Sequence, residues 1–106
     1  MSFVPGHPFS SESVDPSYRY NEGEILKEVK KYINSTYSGH YAGEIQAGEF
    51  MVSLGVGTQY FTGNVIKYAA RYGKKDGYNR KDMMKAIHYA IMSMYANGKD
   101  EEKISK

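Results

Sequence analysis

Cysteine is absent from the 106 residues, and so is tryptophan. The first absence excludes disulfides, zinc–thiolate sites and a thiol nucleophile. The three histidines, His7, His40 and His88, are too scattered to suggest a metal site. No run of eighteen apolar residues occurs, and the opening MSFVPGHPFSSES is polar and broken by Pro5 and Pro8. A membrane span and a signal-peptide core are therefore not expected, and a soluble cytoplasmic protein is. The phosphate-loop pattern GxxxxGK[ST] is missing, and the Gly-x-Gly at Gly55 and Gly57 is weak by itself. GxSxG and HExxH are missing too, as are the paired i, i+3 carboxylates with which all-helical nucleotide hydrolases hold magnesium. No catalytic set, metal site or cofactor is expected. An enzyme built from this chain would have to work by positioning phosphates with cations.

Positive charge is present, and it is concentrated. Between Lys67 and Lys85 stand seven Lys/Arg against Asp76 and Asp82, a local +5 in a chain of net charge +2. A cationic segment in an otherwise acidic chain points to an anionic partner. Tyrosine is also abundant, with eleven residues that can serve as core or as rings and hydroxyls for a planar ligand.

The chain divides into an irregular arm over residues 1–20, one helical domain over 21–98 and a charged tail over 99–106. The arm carries Pro5, Gly6, Pro8, Pro16 and a serine cluster. Asn21 followed by Glu24 predicts a capping box, and Ile25, Leu26, Val29, Tyr32 and Ile33 an apolar stripe, with Ser35 to Gly39 ending the helix. A short helix over 45–54, with Ile45, Phe50, Met51 and Leu54 on one face, is terminated by Gly55. Thr58 is the expected cap of a helix over about 59–72, and Gly73 its end. Asn79 caps a last helix with Asp82 at N3, a buried stripe of Met83, Ile87, Ala90, Ile91 and Met94, and a stop at Asn97 and Gly98. The fold class is all-α, three main helices and a short one, the last two an antiparallel hairpin. A core this small gains from assembly, so a homo-oligomer is expected.

In the third helix Phe61, Val65, Ile66, Ala69 and Tyr72 fall on an apolar side. Asn64, Lys67, Tyr68, Arg71 and Lys75 recur at i, i+3, i+4, i+7 and i+11 on the other. An amide, several cations and a ring on one stripe are what phosphates with a base or sugar require. A solvated cationic face is the plain alternative, weakened by the poor helix formers Gly63 and Asn64 at its centre. Lys81, Lys85, His88 and Tyr95 lie on a neighbouring face and would extend the basic surface, with His88 a packed residue rather than a catalyst.

The string from His40 to Ala90, HYAGEIQAGEFMVSLGVGTQYFTGNVIKYAARYGKKDGYNRKDMMKAIHYA, resembles a family of small tailed-phage proteins known as a conserved domain of unknown function. The family pattern has an HY…G.IQ..DFI segment, a GNVIKY..RY..K.G core and a DL.KA..YL helix. It falls on His40, Tyr41, Gln46, Gly63, Asn64, Lys67, Tyr68, Arg71, Tyr72, Lys74, Lys75, Asp82, Lys85, Ala86 and Tyr89. Glu49 replaces the usual Asp and Met84 the usual Leu, both keeping chemical type. Some longer relatives are described as nucleotide kinases, and the chain lacks their C-terminal extension.

Three functions compete. The first is a phage-type protein that sequesters a nucleotide or a nucleotide-derived bacterial immune signal, a cyclic nucleotide or ADP-ribose derivative, in pockets at subunit boundaries. Its expected ligand-binding residues are Asn64, Lys67, Tyr68, Arg71, Lys74 and Lys75, with His40 and Tyr41. The second, implied by the resemblance, is a nucleotide kinase without a Walker motif. The third is nucleic-acid binding through the basic hairpin, disfavoured by the modest total charge.

Overall fold

In a computed structural model of the chain, residues 16–38 and 42–104 are described, and they form four helices with no strand among them. These are α1 (Glu22–Thr36), α2 (Ala42–Ser53), α3 (Gly57–Arg71) and α4 (Arg80–Ile104). The expected all-α class is the one found. Most of the arm, together with His40 and Tyr41, lies outside the described residues.

The core is a seam between α3 and α4. Phe61 and Tyr68 of α3 and Ala86, Tyr89 and Ala96 of α4 form one buried cluster, with Val52, Tyr60, Val65, Met83 and Met92 packed against it. Gly57 sits against Ala96, Thr62 Oγ1 lies 2.8 Å from Ser93 Oγ, and Tyr68 stacks on Tyr89, so the two helices run antiparallel. Burying one ring the size of Phe61 contributes about 2–3 kcal/mol. Two glycines allow this closeness: a Cβ on Gly57 would stand 2.8 Å from Val52 Cγ2, and one on Gly48 2.9 Å from the Phe61 ring. Gly48, which weakened the expectation of a second helix, is thus where α2 meets the seam. α1 runs along another side of α4, joined by the Glu28–Arg80 ion pair and by Tyr32 edge-on to His88 at 6.1 Å.

The helix ends partly follow their sequence signals. Gly55, at φ 84°, closes α2: its N–H bonds Val52 O and the Val56 N–H bonds Met51 O, the paired bonds of a Schellman motif. Asn79 Oδ1 accepts the Lys81 N–H at 2.9 Å and caps α4. Asn21 does stand before α1, but in the left-handed region (φ 60°), where its side chain makes no capping bond, and Glu24 pairs with Lys27 instead of reaching back. Thr58 lies inside α3, which starts one residue earlier behind Val56. α4 does not stop at Asn97 and Gly98. Gly98 keeps a negative φ, and one glycine costs a helix only about 1 kcal/mol relative to alanine.

The faces also differ from expectation. Tyr68 is buried and Ile66 exposed, because Phe61, Val65, Tyr68 and Tyr72 recur at i, i+4, i+7 and i+11 toward α4. In α4 the inward residues are Met84, Ala86, His88, Tyr89 and Ala96, while Ile91 and Met94 are exposed. The small side chains of Ala86 and Ala96 let α3 approach, which the bulkier stripe would prevent. In α2, Phe50 points outward and Gly48 and Val52 inward, and Leu54, just past its end, is exposed.

Candidate functional site

The site begins with the Tyr68 ring. One face lies on Tyr89, centroids 5.8 Å apart and planes 3° from parallel. Lys67 Nζ stands 5.3 Å from its centroid, Arg71 Cζ 5.5 Å and Lys85 Nζ 5.0 Å. Lys67 and Arg71 flank Tyr68 on α3, and Lys85 comes from the facing turn of α4. Each cation gains about 0.5–1 kcal/mol from the ring quadrupole at a partly exposed site. Three like charges around one ring also repel one another, and an anion shared among them relieves that repulsion.

A buried carboxylate anchors the cluster. Asp82, 5% exposed, sits in the first turn of α4 with Oδ1 3.7 Å from Arg71 Nε. That separation is too long for a hydrogen bond, and Arg71 Nε and Asp82 Oδ2 are both buried without a hydrogen-bond partner. The guanidinium is held by charge and by the ring without being locked in a fork on the carboxylate.

Behind the cluster a cavity of about 10 Å³ is lined by Tyr32, Thr36, Glu44, Lys85, His88 and Tyr89. Burial pushes the Tyr89 phenol well above its ordinary range, reinforced by the charge of Glu44, so it stays protonated. Burial also holds the His88 pKa below 6.5, against the opposing pull of Glu44. His88 is thus a packed, neutral ring.

The other expected site residues are dispersed. Asn64 is half-buried and donates through Nδ2 to Tyr60 O at 2.9 Å, one turn before Tyr68. Lys74 and Lys75 are exposed on the turn after α3, where both backbone N–H groups bond Arg71 O. That turn is closed by Gly73 N–H on Gly77 O at 2.9 Å, with Gly73, Asp76 and Gly77 all at positive φ. Arg80 leaves the basic surface: it makes a bidentate pair with Glu28, at 2.6 and 2.7 Å, which lowers the Glu28 pKa. From the residues themselves Asp82 was expected to complement the helix terminus and Lys85 to extend the basic surface, and the family pattern also falls on both, though neither was among the expected ligand-binding residues. Beside the pattern, position was a signal for Asp82, since Arg71 and Asp82 flank the hairpin turn and a closed hairpin brings them together. Among the described residues no group of three or more His, Asp or Glu is placed to hold a metal. No described helix is long and apolar enough to cross a membrane.

A family model described as "Protein of unknown function (DUF3310)" matches residues 33–91, over half of the chain. The chain belongs to this family. The matched stretch contains the end of α1, all of α2 and α3, and α4 as far as Ile91, so every residue of the cluster lies within the DUF3310 domain. No curated protein matches the chain, and no solved structure does.

Proposed function

We propose that this DUF3310 protein binds a phosphate-bearing small molecule of the nucleotide class on the α3–α4 face, as a homo-oligomer, and sequesters it intact. The observation that supports this most is the convergence of Lys67, Arg71 and Lys85 on one buried tyrosine ring. Phosphate oxygens meet the exposed Lys67 ammonium and the Arg71 guanidinium, Lys85 adds positive charge beside them, and Asn64 lies one turn away for a base or sugar edge. Tyr68 shapes the cation cluster instead of stacking on the base, because one of its faces is already covered by Tyr89. Asp82 is buried against Arg71, a place from which it orients the guanidinium and does not meet an attacking group in solvent. That favours retention over phosphoryl transfer. Lys74 and Lys75, on the exposed turn, add long-range attraction. For a phage-encoded chain, as the sequence resemblance implies, the ligand is a nucleotide-derived immune signal of the infected bacterium.

The test is uptake and release. Nucleotides, cyclic nucleotides and ADP-ribose derivatives are incubated with the protein, and the filtrate is compared by mass spectrometry before and after heat denaturation. A bound ligand should vanish from the filtrate and return unchanged. The double variant Lys67→Ala/Arg71→Lys, which keeps a cation beside Asp82, should lower affinity at least about tenfold, the equivalent of one charge-assisted hydrogen bond. A ligand that returns chemically altered makes the protein an enzyme. Unchanged affinity in the double variant, or uptake of duplex DNA but of no nucleotide, overturns the proposal.

A further inference from the structure

We propose that the small cavity where α1, α2 and α4 meet is a binding site for a single water molecule, which ties the first turn of α2 to the two helices beside it. The inference goes beyond the nucleotide reading and does not rest on it. The cavity measures about 10 Å³, the space that one water takes and less than a larger molecule requires. Six of the residues around it carry polar side chains: Tyr32 and Thr36 of α1, Glu44 of α2, and Lys85, His88 and Tyr89 of α4. Ile45 and Met92 complete the wall.

Two observations point to the occupant. The first is the Tyr89 phenol. Tyr89 is 6% exposed, and its hydroxyl, which stays protonated, makes no hydrogen bond to another of the described residues. A buried hydroxyl left unbonded is costly, and ordered water is the common remedy. Among the described residues the orphan atoms sealed from water are Arg71 Nε and Asp82 Oδ2. Tyr89 Oη is not one of them, so it opens onto space that a water can touch, and the cavity that Tyr89 lines supplies that space.

The second observation is the charge of the lining. Lys85 and Glu44 both border the cavity, so a lone cation and a lone anion each meet a like charge there, and a neutral molecule with donors and acceptors does not. The hydrogen-bond roles also match. Tyr89 donates and Glu44 accepts, while Thr36, whose own hydroxyl proton goes to Ile33 O at 2.7 Å, still accepts through a free lone pair. A water that accepts from Tyr89 and donates to Glu44 and Thr36 makes about three bonds, the usual number for a buried water. It joins three helices through one molecule. Farther along, α2 is held to α3 by the close contact of Gly48 with Phe61, so the water fixes the end of α2 that this contact does not reach.

The experiment is a crystal structure of the full, ligand-free chain at a resolution that shows ordered water, joined to oxygen-17 relaxation dispersion, which counts long-lived waters in solution without interference from exchanging protons. The wild type should show one density peak within hydrogen-bond distance of Tyr89 Oη and of Glu44 or Thr36. Thr36→Ile, which puts an extra methyl into the cavity, should remove one long-lived water from the count, with the helical circular-dichroism signal retained. Tyr89→Phe should shorten the residence of that water about tenfold, the loss of roughly one hydrogen bond. A wild-type cavity with no density, or with density that refines as an ion, overturns the proposal whether or not the variants fold. A folded Thr36→Ile with an unchanged water count overturns it as well.

Discussion

The two sides of α4 are built differently. Toward α3, rings stack, alanines and a glycine let backbones approach, and Phe61 is 3% exposed. Toward α1 and the inner face of α2, an open groove remains and tyrosine, isoleucine and methionine stand in solvent. The first side is a packed core with cations at its edge; the second leaves an open groove. The buried cluster and the concentrated positive charge belong to the hairpin, and exposed apolar side chains lie across α4 from it.

Substitution at the seam should have the largest effect. Phe61→Ala is expected to cost about 3–5 kcal/mol, read from urea unfolding, whereas Ile33→Ala in the groove should cost the monomer about 1 kcal/mol or less. Equal costs would break the distinction between the two sides.

Glycines sharpen it. Gly57→Ala pushes a methyl against Val52 and Ala96 and should destabilise by about 1–3 kcal/mol. Gly63→Ala, six residues along the same helix, meets nothing within 4 Å and should stabilise by about 1 kcal/mol. Thermal melts of the pair should shift in opposite directions.

The α1 side has its own titration. Because burial lowers the folded pKa of His88, the unfolded chain takes up the proton first as pH falls. The stability linked to His88 is complete above about pH 6.5 and is lost as pH falls from there through the lowered folded pKa. Melting temperatures should fall accordingly, and His88→Gln should flatten that part of the profile. The smallest effect is expected from Arg80→Gln. It breaks the exposed pair with Glu28, and its shift in melting temperature should shrink further in high salt.

The sequence made the helices and several of their ends legible because those signals are local. Gly55 ends α2 and Asn79 caps α4 through contacts within a few residues. The faces were less legible. Isoleucine ranks above tyrosine as a core residue, yet Tyr68 is inside and Ile66 outside, since Tyr68 finds Tyr89 on a helix more than twenty residues away and Ile66 finds nothing. The inward stripe of α4 was misread for a related reason: alanine earns burial through close approach of a neighbour, which no single helix displays. In the candidate site, Lys67 and Arg71 could be read from their spacing. Lys85 and Asp82 join them only once the hairpin closes, and Lys74 and Lys75 stay apart on the turn.

The most direct test of the cation cluster is an amide-resolved NMR titration of the full chain with the nucleotide that shows the strongest uptake. The expected result is saturable shifts centred on Asn64, Lys67, Tyr68, Arg71 and Lys85, with Ile33 and Tyr95 unmoved, and loss of those shifts in Lys67→Ala/Arg71→Lys. Shifts centred on the groove residues, or shifts unchanged in the double variant, would contradict the account.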